Sequence, residues 1–426
     1  IIPATLAKLE ESISVDRLTS NIVVSSSSCS HFTHPASHAS TGAPNVDYVL
    51  YVSAGPTSGS TVAWAGACAV LSSGANKGRP IIGRMNISPK YLVWNQYKEG
   101  IVAAAVHELL HALGFSYEFF QNSFYNGKGW TVVQTGTQGG GAPAEKVVTA
   151  GVLAKAKAFF GCSTMTGVAL ENQGGTGMAN SHWDRRNMKD DVMAGIVGGE
   201  MSATTLAVLA DTGYYTVDYS KAGATYWGKA AGCNFLNKKC LTDGVVEPGT
   251  ERYWCAKSGA SQCAFDRRSV GKCSSTYYAA ALPTYWQYFT NSHEGGSAQQ
   301  LMDYCPIPSP YRDRRCTDAS YVVTSADYYT GNGFAADSRC VETSGIVFFG
   351  SGNQAHSQTC LRVRCPGGTR VQFAVGDSPW VDCPLDGSAR TVGALSGWAG
   401  EVHCPRVSDI CTESLAVAAV TVSAGC

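Results

Sequence analysis

The stretch that decides the reading runs His107-Glu108-Leu109-Leu110-His111-Ala112-Leu113-Gly114-Phe115-Ser116. It closes a segment, Glu99 to Leu113, whose apolar residues fall at 101, 102, 105, 106, 109, 110 and 113, the i, i+3, i+4, i+7 recurrence of a helix with a buried face. Gly114 then ends the helix. On such a helix His107 and His111 share a face, so both imidazoles reach one Zn2+ while Glu108 points into the same cleft. This is the HExxH pattern. A match of this kind arises by chance in roughly one chain in one or two hundred of this length. The competing reading, two helical histidines bonded to backbone or carboxylates, must therefore be decided by what surrounds the motif.

A catalytic zinc needs three protein ligands and one open position for water. A Glu further along the chain would be one kind of third ligand, but Thr131 to Ala142 contains none and Glu118 is too near. In the longer pattern HExxHxxGxxH, Gly114 holds the glycine place, where a tight turn brings a third histidine back to the metal. The third-histidine place, however, is Tyr117. Downstream, His182 is the only histidine between 112 and 292, and 11 residues later Met193 sits in Asp191-Val192-Met193-Ala194-Gly195. That is a candidate Met-turn, whose polarizable side chain would floor the imidazoles. Spacing alone leaves His182 open between third ligand and exposed loop histidine.

The rest of the chain frames this motif. Its 426 residues favour two or three domains. Lys plus Arg and Asp plus Glu are 32 each, and without a basic excess a polyanion partner such as nucleic acid is excluded. At 44% hydrophobic the chain is too apolar for disorder, and its apolar runs are too short to span a bilayer. Of 17 cysteines, 14 lie beyond residue 232 and none forms CxxC, which reads as disulfides in an oxidising compartment rather than as zinc ribbons. Cys426 is left over as the odd thiol. The chain starts at Ile1 without a signal peptide, as expected after processing.

Before the motif the pattern predicts a helix over Ile1 to Ile13 and strands over Asp47 to Ser53, Ser60 to Leu71 and Pro80 to Ser88, separated by turns. Asn86-Ile87-Ser88 is a glycosylation sequon, although Pro89 disfavours its use. After the motif come a Gly-rich excursion, a helix over Ala144 to Phe160 and another over Ala203 to Asp211. Beyond 239, closely spaced cysteines and turn formers predict a stapled, mostly β or irregular region. His31, His34 and His38 form a loop cluster, read as solvated rather than as a second metal site. Tyr214 and Tyr215, near the Met-turn, read as packing residues, and no oxyanion donor is identified.

These residues resemble the leishmanolysin family, whose signature is the HExxHxxGxxH motif with a long insertion before the third histidine; here 67 residues, 115 to 181, fill that gap. The resemblance extends through SHWDRRN (181–187), WGKAAGCNFLNKKC (227–240), LPTYWQYFT (282–290) and MDYCP (302–306). It implies an α+β fold: a metzincin-type catalytic core of mixed sheet and active-site helix, a central insertion domain, and a disulfide-rich C-terminal domain. The implied boundaries are 1–116, 117–238 and 239–426.

The resemblance also implies a zinc endopeptidase. One Zn2+ would be held by His107, His111 and His182, Glu108 would be the general base, Met193 the Met-turn and Gly114 the motif glycine. It further implies the pairs Cys29–Cys68, Cys162–Cys233, Cys240–Cys305, Cys255–Cys273, Cys263–Cys340, Cys316–Cys360, Cys365–Cys411 and Cys383–Cys404. Substrates would be extended polypeptides added to an edge strand, for which Pro80 to Ser88 is the candidate. Localisation would be extracellular or at the cell surface, with a C-terminal lipid anchor expected from the resemblance; the terminal Leu415 to Gly425 reads equally well as a last strand. The rival class is a non-catalytic adhesion or decoy protein on the same scaffold, but a dead copy should lose Glu108 or a histidine and none is lost. A third reading is a disulfide-rich binding module whose HExxH is accidental.

Overall fold

The computed structural model describes residues 1–24, 29, 32–59, 61–92, 98–121, 132–196, 198–321, 323–352, 356–392, 397–411 and 416–417. His31, Cys426 and most of the terminal stretch 415–425 lie outside them. The chain forms two compact units, Ile1–Lys239 with Ala298–Asp303, and Cys240–Ser297 with Tyr304–Cys426. The first therefore takes in both regions expected at 1–116 and 117–238. Among the described residues no helix is long and apolar enough to cross a membrane.

The first unit opens with α1 (Ile2–Glu10), followed by β1 (Val49–Ser53), β2 (Ala63–Val70), β3 (Pro80–Ile87) and α2 (Lys98–Leu113). The sheet order is β1-β3-β2, with β1 parallel and β2 antiparallel to β3. This corrects the expected edge strand. Pro80–Ile87 lies in the middle with both sides paired, and its nearly continuous burial is what a central strand requires. β1 and β2 are the two edges, and β2 is partly exposed along most of its length. The order of strands in sequence carries no record of their order in space.

Asn86, the asparagine of the sequon, is 4% exposed on β3. Its Oδ1 accepts from Ser53 Oγ and Gly55 N–H, both at 2.8 Å, and its Nδ2 donates to the Gly55 carbonyl at 3.0 Å. In the folded chain that amide ties β3 to Ser53 and Gly55.

A second correction concerns Ala144 to Phe160. Its first part belongs to β5 (Ala142–Val147), paired antiparallel with β4 (Val133–Gln138), and only Ala150–Phe160 is the helix α3. Pro143 sits inside β5, and Ala142, Ala144 and Val147 are buried against the unit. Tertiary pairing overrides the helix preference of Ala, Glu and Lys here. β6 (Val168–Ala169) extends the same sheet. The expected helix at Ala203–Asp211, α4, is capped by Ser202 Oγ, which accepts the Thr205 N–H at 3.2 Å.

Most of the regular structure described in the second unit is strand. Its main sheet pairs β7 (Ser338–Phe348) with β8 (His356–Pro366), and β9 (Trp398–His403) flanks β7. Val341, Ile346, Leu361, Phe373, Trp398 and Val402 form its core. Ala416–Val417 adds in parallel at Cys365–Pro366. The eight disulfides are the eight that the resemblance implied. Six of them lie wholly within this unit, where short strands bury too little apolar surface to hold long connections unaided.

Candidate metal centre

Helix α2 packs inside the unit, with Ala105, Leu110 and Ala112 at 0% exposure, and its His107 and Glu108 are buried with them. There it presents His107 and His111 one turn apart. Gly114 ends it at φ 128°, a conformation that residues with a Cβ rarely adopt. The turn brings the Phe115 carbonyl back to His111 Nδ1 at 2.6 Å. His107 Nδ1 meets the Val192 carbonyl at 2.6 Å, and His182 Nδ1 the Met178 carbonyl at 2.9 Å.

A carbonyl oxygen only accepts, so each Nδ1 carries the proton and donates it, which leaves every Nε2 a bare lone pair. The three Nε2 atoms nevertheless face one another at 3.1, 3.1 and 3.2 Å. Three acceptors converging without a donor repel unless a cation sits among them. Their separations lie close to the ~3.3–3.4 Å edge subtended by tetrahedral nitrogens at about 2.0–2.1 Å from one ion. The donor set therefore fits a metal. Among the described residues, this is the one group of three or more His, Cys, Asp or Glu side chains close enough to hold one.

Electrostatics agree with that geometry. Burial, then the neighbouring His182, pushes His107 down to about 3, against the pull of its Val192 bond. Burial with the other two rings holds His111 well below the usual range, and burial lowers His182. All three imidazoles are thus neutral near pH 7, the form that ligates. Glu108, next to His107 on α2 and 8% exposed, is pushed up to about 8 by burial and pulled back by a hydrogen bond from the Ala65 backbone on β2.

Met193 is fully buried in the turn after Val192. Its carbonyl accepts from Trp183 N–H at 2.9 Å, so the turn is tied both to the His107 side and to the residue following His182. Sequence reasoning missed what fastens this turn. The Asp191 carboxylate accepts from Met193 N–H at 2.7 Å and from Thr205 Oγ1 on α4 at 2.8 Å, while Trp183 Nε1 donates to Thr205 at 2.8 Å. The sequence places Asp191 beside the candidate Met-turn, but nothing in it pairs that residue with position 205. Tyr214 and Tyr215 donate to the carbonyls of Lys77 and Leu113 and are buried, so they pack rather than face a substrate. His38 bonds the Tyr51 hydroxyl at 2.8 Å, and the His34 ring lies 4.6 Å from that of Tyr51.

The sequence profile of the leishmanolysin family, peptidase family M8, matches residues 1–417. The chain belongs to the leishmanolysin family. It is 34% identical over 429 aligned residues to a leishmanolysin homolog of Crithidia fasciculata, covering 97% of this chain and 63% of that protein. It is 32% identical to the leishmanolysin of Leishmania donovani, over 90% of this chain and 64% of that one. A leishmanolysin-like peptidase of Drosophila melanogaster matches at 27% over 87% of this chain and 64% of its own length. The chain thus spans slightly under two thirds of the curated relatives it matches. As a leishmanolysin-family chain it has the mixed α/β architecture of a metzincin-like core with a strand-rich, disulfide-stapled C-terminal region.

Proposed function

We propose that this chain is a zinc endopeptidase acting on extended segments of extracellular or host proteins. The observation that carries this reading is the triangle of lone pairs at His107, His111 and His182, with the buried Glu108 adjoining His107 on the same helix. The three imidazoles, each locked by a carbonyl at Nδ1, would hold the ion and leave one side open to water and substrate. When bound, zinc supplies a water of near-neutral pKa and polarises a carbonyl. Glu108, held by the Ala65 backbone, takes the proton of that water at its carboxylate and passes it to the departing amine. Met193 floors the site as the Met-turn. The free edge of β2, which carries Ala65, supports an antiparallel substrate strand placed against the cleft. Disulfide richness supports an extracellular or cell-surface setting, and a C-terminal lipid anchor remains part of the reading through family resemblance.

The test is zinc content together with hydrolysis of a quenched protein substrate, before and after 1,10-phenanthroline. One zinc per chain and chelator-sensitive cleavage are expected. Glu108→Gln should retain zinc and lose at least about 100-fold in kcat. Cleavage that persists in Glu108→Gln removes the assignment, and zinc without cleavage by the parent favours an adhesive or decoy role.

A further inference from the structure

Three non-glycine residues in a run of four, Leu301, Asp303 and Tyr304, hold left-handed backbone at φ 51°, 53° and 58°. Strain of this kind persists only where the surroundings over-determine it. The segment Ala298–Asp303 belongs to the first compact unit although its sequence neighbours on both sides belong to the second. What it meets there is the loop of His182.

Two polar branches leave Asp303, which is 1% exposed. On one, its Oδ2 accepts from Gln138 Nε2 at 3.1 Å, and the same amide donates to Asp184 Oδ2. On the other, Asp303 N–H donates to Gln173 Oε1 at 2.9 Å, and Gln173 N–H donates to Glu171 Oε1 at 2.9 Å. Glu171 Oε2 accepts the Arg185 N–H at 3.2 Å, and Glu171 N–H donates to the His182 carbonyl at 2.9 Å. Arg185 closes the circuit by donating Nη1 to the Gln300 carbonyl. Both branches end on 182–185.

Leu301 adds an apolar contact. A Cβ on Gly195 would stand 2.9 Å from Leu301 Cδ1 and 2.7 Å from Met178 Sδ, so the absent side chain leaves room for both. Met178 is the residue whose carbonyl orients His182.

We propose that Asp303 is a positioning residue for His182: through Gln138 and Asp184, and through Gln173 and Glu171, it holds the loop that aims the third imidazole and so sets how tightly the site keeps its metal. The proposal rests on the zinc reading above. His107 and His111 are fixed to each other by one helix, whereas His182 arrives on a loop and must be held by something outside it. Buried bonds to a carboxylate are strong and directional enough to do so. The strained segment delivers that carboxylate.

The test uses the full chain. Zinc affinity is measured at pH 7.5 by competition with the chelating dye 4-(2-pyridylazo)resorcinol, visible spectra are taken with cobalt(II) in place of zinc, and the metal-free melting midpoint is recorded. Asp303→Asn keeps the size and the tolerance of left-handed backbone. Gln138→Leu cuts one link from its other end, and Leu301→Ala removes only the apolar contact, so a variant that fails to fold does not end the test. Zinc held about 10–100-fold more weakly in the folded Asp303→Asn and Gln138→Leu chains, with an altered cobalt spectrum, is the expected result. The double variant should be no worse than the weaker single, because both act on one link. Affinity within about threefold of the parent, or an unchanged cobalt spectrum, overturns the proposal. A parent that binds no zinc, or binds it equally well as His182→Ala, overturns the zinc reading first and this proposal with it.

Discussion

Glu108 shows most plainly how a residue's surroundings change its chemistry. Burial raises it to about 8 in the metal-free fold, against an ordinary carboxyl value near 4.5 in an unfolded chain. A pKa raised on folding gives stability that is fully present below the unfolded value and is lost as pH rises through the folded one. Metal-free Glu108→Gln should therefore gain on the metal-free parent between about pH 4.5 and 8. Urea midpoints of the two proteins measured across that range check this, and a constant difference would contradict it. The imidazoles act in the opposite sense. Their folded values are depressed, so their contribution is present above about 6.5 and lost as pH falls, towards about 3 for His107. At this scale His107, Glu108 and His111 were legible, because four residues on a helix always bring side chains to one face. His182 was not settled by spacing, since 67 intervening residues carry no geometric constraint of their own.

Among the elements, α2 was the most legible, because its apolar periodicity and terminal glycine both follow from local geometry. Gly114 also does more than stop the helix: its φ of 128° turns the Phe115 carbonyl towards His111. The nearest atom to an added Cβ would be Phe119 Cδ1 at 3.4 Å, so Gly114→Ala is opposed by backbone conformation rather than by crowding. It should destabilise the chain by about 1–2 kcal/mol and weaken zinc binding, read by thermal melting and by dye competition. An unchanged midpoint and affinity would show that the turn is not essential. β3 and β5 were less legible. A strand's place in a sheet depends on partners distant in sequence, and Ala142–Val147 pairs with Val133–Gln138 despite a helix-favouring composition.

For the whole molecule, the eight disulfides and the proposed metal centre belong to different parts of the chain. The triad lies on α2 and the His182 loop, both in the first unit, whereas six of the cystines staple the second. Removing zinc by chelation should raise amide hydrogen exchange at 98–115 and 182–195 and leave 338–348 and 356–366 unchanged. Mild reduction should raise exchange in those two strands. Uniform changes in both experiments would refute this division. The sequence by itself determined the motif helix, the disulfide-rich character and, through long specific blocks, the family, because these are written in local periodicity and composition. Only the tertiary structure decided that Pro80–Ile87 is the central strand, that Asn86 is buried, and that a strained segment near residue 300 reaches the loop of His182. Each of these depends on contacts between residues far apart in sequence, which no local pattern encodes.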